Sequence, residues 1–467
     1  MSYDLIVIGA GQGGGPLAGT AADHGRSVAL IERKHVGGTC VNEGCTPTKT
    51  MIASARVAPL ARRAEDYGVQ TGDISVDMTT VRRRKRDIVE SFRAGSRSSV
   101  EEADGLDLVE GEARFVDDHT VEVTFDDGST ETLTGERIVI DTGTRPVLPP
   151  VDGLAEVDAL TSTSIMELGR VPDHLLILGG GYIGLEFGQM FRRFGADVTI
   201  VDRGEHLLGR EDADVVEALE DILREDGIRV LNETSMTAVE RDDDGAVTAH
   251  LDGDGAPDTV RGSHLLVAVG RRPNTDALTP EAAGVELTER GYVWVNDRLE
   301  TTADGVYALG DVTGGPAFTH VSYDDYRLLR DNWFDGAGRA GRGRPATTDD
   351  RIVSYTLFTD PQLGRVGLTE AQARDRGLDV EVARMPMSHV ARALEVDEPR
   401  GLMKAVVDAD TKQLLGAAVL GIEGGEVMSV LQTAMMGELP VTRLRDAPYA
   451  HPTLAESLNN LFAGIEG

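Results

Sequence analysis

Apolar residues fall into a few clear runs along this chain of 467 residues. YDLIVI (3–8) is continuous, and SVALIE (27–32) follows a glycine-rich turn and the helix-compatible stretch PLAGTAADHG. Short continuous runs bounded by glycines predict strands buried on both faces of a parallel sheet. The same succession of strand, glycine turn, helix and strand returns in HLLILGGGYIGLEFGQMFRRFGADVTIVD (174–202). Between the two, residues 50–105 carry a helical pattern, and residues 107–140 alternate in short segments punctuated by Asp-Gly, which predicts hairpins. Alternation returns over 228–268. GAGRAGRGRP (336–345) has the composition of a flexible linker, and RIVSYTLFTDPQLGRVGL then opens a final segment of strands followed by helices. No short-period repeat occurs. No run of about 18 apolar residues exists, so no membrane partner is expected. MSYDLIVIGAG reads as the start of a strand rather than a secretory signal, so a cytoplasmic location is expected.

The glycines after the two leading strands have a specific spacing. Gly9, Gly11 and Gly14 form G-x-G-x-x-G, and the second strand of that unit ends on Glu32. Gly179, Gly181 and Gly184 repeat the pattern, with Asp202 in the position of the acid. Glycines allow the tight turn and a close backbone approach. The helix N-terminus attracts a pyrophosphate, and the acid meets a ribose hydroxyl. A lone motif is weak. Two copies, each in full strand–turn–helix–strand context, predict two dinucleotide sites, and a bound flavin with a diffusible nicotinamide is the economical pairing. The competing reading keeps one copy as scaffold only.

Charge removes one class of partner. The chain has 79 Asp and Glu against 46 Lys and Arg, a formal net charge of −33. Phosphate backbones are repelled by such a surface, so no nucleic-acid partner is expected. The basic cluster Arg82, Arg83, Arg84, Lys85 and Arg86 is read as a solvated helix face. Lysine occurs only at Lys34, Lys49, Lys85, Lys404 and Lys412. An acidic, lysine-poor chain suits a halophile, because in molar salt the Debye length falls to about 3 Å and self-repulsion is screened.

Two cysteines, Cys40 and Cys45, stand in GGTCVNEGCTPTKT (37–50). A structural disulfide, a metal site and a redox pair compete. A short structural disulfide is out of place in a reducing compartment. A structural zinc needs about four ligands, and no third cysteine exists. The segment after Cys45 predicts a helix with Pro47 in its first turn, and a thiol at a helix N-terminus is reactive. These considerations favour a redox-active dithiol beside a flavin.

GGTCVNEGCTPTK resembles the redox signature of the class I flavoprotein disulfide reductases, which include dihydrolipoyl dehydrogenase, glutathione reductase and mercuric reductase. DTGTRP (141–146) resembles their A-T-G-S-R-P element with Asp141 in place of alanine; GRRPNT (270–275), YALGDV (307–312) and HPTLAE (451–456) resemble three further family elements. The resemblance implies an α/β protein with two Rossmann-like domains, an FAD-binding domain over 1–148 and 269–340 and an NAD(P)-binding domain over 149–268. An α+β dimerisation domain over 346–467 would follow. It implies that Gly9, Gly11, Gly14, Glu32, Thr39, Lys49, Thr142, Gly143, Gly270 and Asp311 bind FAD, with Asp311 on the ribityl chain. Gly179, Gly181, Gly184, Asp202 and Arg203 would bind the nicotinamide nucleotide. Cys45 would be the charge-transfer thiolate and Cys40 the outer thiol. His451, oriented by Glu456, would be the acid/base, supplied by the partner subunit of an obligatory homodimer. Lys49 would pair with Glu186 near the flavin, and Tyr182 would cover it until the nicotinamide displaces it. Electrons would then pass from NAD(P)H through the flavin to the Cys40–Cys45 disulfide.

CTPTKT resembles the mercuric reductase-like branch more than dihydrolipoyl dehydrogenases. GDVTGGPAFTHVSYDDYRLLRD and HPTLAESLNNLF resemble a branch induced by reactive chlorine and described as copper(II) reductases. Soft thiolates suit Hg(II) and Cu(I), so Cys40 and Cys45 are expected to hold a substrate metal transiently. The chain ends NNLFAGIEG without the C-terminal cysteine pair of typical mercuric reductases, and it shows no N-terminal C-x-x-C domain; this departure argues against efficient mercuric reduction, and Hg(II) would have to reach Cys40 and Cys45 directly. Asp202 favours NADH by repelling a 2′-phosphate, while Arg203 and Arg210 leave NADPH possible. Two alternatives stand beside metal reduction: dihydrolipoyl dehydrogenase, and a non-catalytic redox sensor.

Overall fold

The two N-terminal apolar runs are neighbours at the centre of a seven-stranded sheet in the computed structural model, which describes residues 1–335 and 344–466. The strand order is Leu106–Glu110, Val28–Glu32, Ser2–Ile8, Thr130–Ile140, Thr120–Thr124, Glu112–Asp117, with Val306–Ala308 pairing the end of Thr130–Ile140. Pairing is parallel from Leu106–Glu110 through to Thr130–Ile140 and antiparallel beyond it. The long strand Thr130–Ile140 changes character along its length. Its first half alternates between exposed and buried positions, and its last three residues, Ile138, Val139 and Ile140, are fully buried. The alternating half packs one face against Phe115, Val121 and Val123, while the buried half lies in register with Ile6, Val7 and Ile8. Each such buried aliphatic side chain contributes about 1.5–3 kcal/mol.

This sheet belongs to a unit comprising Met1–Thr50, Arg82–Val147 and Gly270–Arg351. The helical stretch expected over 50–105 appears as helices Cys45–Arg62 and Met78–Glu101. In the basic cluster Arg83, Arg84 and Arg86 are exposed, as a solvated face requires, but Lys85 is buried. Of the linker composition read at 336–345, residues 336–343 lie outside the described residues.

The second unit comprises Met51–Val81, Leu148–Val269 and Ile352–Gly467. It holds a four-stranded parallel sheet, ordered Ile228–Leu231, Asp197–Val201, His174–Leu178, His264–Val267, and the antiparallel trio Ser235–Arg241, Val247–Asp252, Thr259–Gly262. It also holds a five-stranded antiparallel sheet, ordered Ser354–Leu357, Gln362–Gly367, Leu414–Gly421, Leu402–Asp408, Val380–Pro386. Helix Gly424–Met436 packs on this last sheet through Val427, Met428 and Leu431, in a core with Val366, Ala417 and Val419.

A buried charge network joins these parts within the second unit. Lys404 Nζ lies 2.8 Å from Asp214, 3.0 Å from Glu370 and 3.3 Å from Asp212. Arg365 lies beside it, facing Glu211 and Asp212, and both cations are about 2% exposed. Burial alone would raise the Asp214 and Glu370 carboxyls, but hydrogen bonds from Lys404, from Arg384 to Asp214 and from Arg374 to Glu370 hold both below their ordinary range. No helix among the described residues is long and apolar enough to cross a membrane.

Candidate active site

The first glycine turn is built around close backbone contacts and one acid. Gly9 follows strand Ser2–Ile8 at φ +108°, a conformation open to glycine and costly to other residues. A Cβ there would stand 2.2 Å from the Asp141 carbonyl oxygen, and one on Gly14 would stand 2.3 Å from the Gly9 carbonyl oxygen. Helix Gly14–Asp23 therefore begins directly against the turn. Glu32 Oε2 accepts the Ala10 N–H at 3.0 Å, and Oε1 accepts the N–H groups of Lys34 and His35 at 2.8 and 3.2 Å.

The second turn repeats these contacts in the other unit. Gly179 takes φ +112°, and a Cβ on Gly184 would stand 2.1 Å from the Gly179 carbonyl oxygen. Asp202 Oδ2 accepts the Gly180 N–H at 2.6 Å, and Oδ1 accepts the Gly204 N–H at 2.7 Å. Gly181 and Tyr182, at the start of helix Tyr182–Phe194, are exposed, as are Arg203 and Arg210. Glu186, one turn into that helix, is buried, and its Oε1 accepts the Phe358 N–H at 3.0 Å. Lys49 is half-buried and belongs to the first unit, Glu186 to the second.

Around the first turn, three family elements are stitched together. Asn274 Nδ2 donates to the Thr142 carbonyl at 2.8 Å, and its N–H donates to the Gly143 carbonyl at 3.0 Å. Arg145 donates to Asn274 Oδ1 at 2.7 Å. Arg271 donates to Thr144 Oγ1 at 2.8 Å, and Thr144 Oγ1 donates to Asp311 Oδ2 at 3.1 Å. Burial pushes the Asp311 carboxyl up, and Arg271 and the Thr144 hydroxyl offset part of that. Thr142 Oγ1 is buried with no hydrogen-bond partner among the described residues. Gly143 and Gly270 both take positive φ with open space where a Cβ would project. Thr39 is exposed on the short helix Gly38–Asn42.

Sequence reasoning missed the group that anchors the backbone at Gly310, next to Asp311. Asp325 Oδ2 accepts the Gly310 N–H at 2.8 Å, and Arg351 forms ion pairs with Asp324 and Asp325. The run S-Y-D-D-Y was the available signal, since paired acids on a buried helix face need a cation.

Cys40 and Cys45 meet, although one lies in helix Gly38–Asn42 and the other opens helix Cys45–Arg62. The two are not disulfide-bonded to each other; Cys40 is half-buried and Cys45 exposed. The Cys40 thiol is pushed up, first by its hydrogen bond to Cys45 and then by burial, so it keeps its proton. Thr319 and Lys49 act in the opposite direction. Cys45 Sγ lies 3.3 Å from Thr319 Oγ1, and Thr319 is the first residue of helix Thr319–Arg330. The thiol pair thus faces a second helix N-terminus, which favours negative charge on sulfur. Thr319 lies within the stretch GDVTGGPAFTHVSYDDYRLLRD but was not singled out from sequence. No cluster of three or more metal-ligating side chains occurs among the described residues.

His451 Nδ1 lies 2.9 and 3.0 Å from the two Glu456 oxygens. The carboxylate fixes the ring and leaves Nε2 as the atom for proton exchange. The side chain is 69% exposed.

Two glycine turns, a dithiol and a carboxylate-oriented histidine define a nucleotide-linked dithiol oxidoreductase. The pyridine nucleotide-disulphide oxidoreductase model matches residues 3–325, and its dimerisation-domain model matches residues 353–462. The chain belongs to this family, whose members are implied to use FAD and NAD(P)H. It is 37% identical over 467 residues to the probable pyridine nucleotide-disulfide oxidoreductase RclA of Escherichia coli, covering 99% of each chain. A solved structure titled as a Cu(II) complex of that HOCl-induced flavoprotein superposes with a TM-score of 0.90 at 36% identity, covering 100% of both chains. The chain is also 39% identical to a mercuric reductase of Streptomyces lividans, covering 98% of this chain and 94% of the relative. It is 34% identical to dihydrolipoyl dehydrogenase 2 of Haloarcula marismortui, covering 99% and 97%.

Proposed function

We propose that this protein oxidises NAD(P)H and delivers the electrons through the Cys40–Cys45 pair to a soft metal ion, Cu(II) or Hg(II). The observation that carries the reading is the paired thiols beside the N-terminus of helix Thr319–Arg330, Cys40 half-buried and Cys45 exposed. The full-length likeness to RclA and to mercuric reductase supports it.

The residues fit FAD in the first unit. Gly9, Gly11 and Gly14 add no side chain of their own to the turn, and Thr142 Oγ1 is a buried hydroxyl without a hydrogen-bond partner among the described residues. Glu32, Thr39, Lys49, Gly143, Gly270 and Asp311 complete the proposed set. When bound, FAD supplies two-electron exchange between a nicotinamide and a disulfide. Gly179, Gly181, Gly184, Asp202 and Arg203 would hold the nicotinamide nucleotide, and Asp202 favours NADH. Tyr182 would guard the nicotinamide position, and Lys49 with Glu186 would set the charge beside the flavin.

In the reduced protein, Cys40 and Cys45 bind the substrate metal through sulfur. Oxidation of the dithiol to the Cys40–Cys45 disulfide yields two electrons and two protons. They convert one Hg(II) to Hg(0), or two Cu(II) to two Cu(I). His451 of the partner subunit, oriented by the partner's Glu456, would receive a proton from the outer thiol, which makes the homodimer the working form.

The test is NAD(P)H oxidation by the FAD-loaded protein in molar KCl, with Cu(II), Hg(II) and lipoamide offered in parallel. Metal-dependent turnover that disappears in Cys45→Ser, with lipoamide inert, supports the reading. A histidine–glutamate pair also suits a dithiol acceptor, so fast lipoamide turnover with slow metals would instead identify a dihydrolipoyl dehydrogenase. Flavin and thiols that respond to oxidants without turnover on any acceptor would identify a sensor.

A further inference from the structure

Asp141 stands where the resemblance places an alanine, and its carboxyl fills the space that three glycines leave open. Oδ2 accepts the Gly14 N–H at 2.7 Å. The same oxygen is 2.7 Å from where a Gly11 Cβ would stand and 2.8 Å from a Gly14 Cβ, while Oδ1 is 3.0 Å from a Gly310 Cβ. An acid therefore sits at the N-terminus of helix Gly14–Asp23, where dinucleotide folds place the pyrophosphate. Three other acids face it, Glu32, Asp311 and Asp325. The nearby cations are engaged elsewhere, Arg271 with Thr144 and Arg351 with Asp324 and Asp325. Burial, reinforced by these three acids, holds the Asp141 carboxyl well above the ordinary carboxylate range, against the pull of the Gly14 N–H.

We infer that Asp141 makes flavin binding proton-linked: its neutral acid shares the glycine turn with the anionic pyrophosphate, and its ionised form opposes it. This rests on the proposed FAD reading. The pyrophosphate makes ionisation of Asp141 harder, so the loaded protein holds a proton that the free protein has begun to release. Loading then takes up a proton between those two ionisations, and affinity is highest on the acid side. Across that window the FAD dissociation constant rises by about tenfold per pH unit.

The full-length protein, stripped of flavin, is titrated with FAD by fluorescence quenching from about pH 5 to about pH 9, a range that brackets a raised carboxyl. Calorimetry in two buffers of different ionisation heat counts the protons taken up. The wild type is expected to weaken by at least tenfold toward the alkaline end and to take up protons on binding. Asp141→Asn, whose amide oxygen still accepts the Gly14 N–H, is expected to bind with flat pH dependence, without uptake, and more tightly at alkaline pH. A flat wild-type curve, or the same slope in Asp141→Asn, overturns the inference. Should Asp141→Asn fail to fold, wild-type proton uptake decides alone, and none detected overturns it. A wild type that binds no FAD at any pH overturns the FAD reading itself, and the inference with it.

Discussion

Thr319 places a single hydroxyl against the thiol pair. It touches Cys45 Sγ and favours ionisation of Cys40, against the burial that opposes it. Thr319→Val keeps the shape and removes the hydrogen bond, which disfavours the thiolate. Alkylation of the reduced pair by iodoacetamide at neutral pH is expected to slow by about three- to tenfold. In the proposed mechanism His451 acts at a different step. His451→Ala is expected to lower acceptor-dependent turnover by about 10²–10⁴-fold, while NAD(P)H still bleaches the flavin. Stopped-flow absorbance separates the two. The Cys40–Cys45 and His451–Glu456 contacts were legible in sequence because each pair lies in one dense motif. Thr319 and Asp325 were not, since their value comes from the thiol and the backbone N–H that folding sets beside them.

At the scale of elements, the two glycine turns make the same contacts in separate units, so they can be broken separately. Gly14→Ala would place a Cβ 2.3 Å from the Gly9 carbonyl oxygen, and Gly184→Ala one 2.1 Å from that of Gly179. Either clash forces the backbone apart at a cost of about 1–3 kcal/mol. Gly14→Ala is expected to purify with little or no flavin. Gly184→Ala is expected to purify yellow but with KM for NAD(P)H raised at least about tenfold. Flavin absorbance and steady-state kinetics check both. The strands flanking these turns were legible because a fully buried parallel strand is an unbroken apolar run. The grouping of residues 51–81 with the second unit was not legible, because helix Cys45–Arg62 carries no break where the grouping changes. Lys85 was misread with its neighbours, since five basic residues in a row cannot all share the outer face of a helix with 3.6 residues per turn.

Over the whole molecule, charge acts in two regimes. The network around Lys404 is buried, and removing its one ammonium leaves Asp212, Asp214 and Glu370 facing each other. Lys404→Met is expected to cost about 3–5 kcal/mol, read from denaturant unfolding, with little relief from salt. Asp214 and Glu370 ionise below their unfolded values, so their stabilisation is present above the ordinary carboxylate range and is lost as pH falls through the depressed values. In Lys404→Met that acid-side loss shrinks, because only Arg384 on Asp214 and Arg374 and Arg384 on Glu370 are left to depress the carboxyls. The surface behaves differently. A formal charge of −33 repels itself, and the melting midpoint is expected to rise between about 0.1 M and about 2 M KCl as the Debye length contracts.

The scarcity of lysine also gives the protein an unusual profile toward amine-directed reagents. Of the five lysines, Lys85 and Lys404 are buried, Lys49 and Lys412 are partly covered, and Lys34 has a side chain 62% exposed. An acylating dye applied to the native protein should therefore concentrate at Lys34 and the exposed Met1 α-amine, two sites that peptide mass separates. Lys49 would then be a natural footprinting probe, with its acylation rate, followed by peptide mass, reporting whether the flavin cradle is filled.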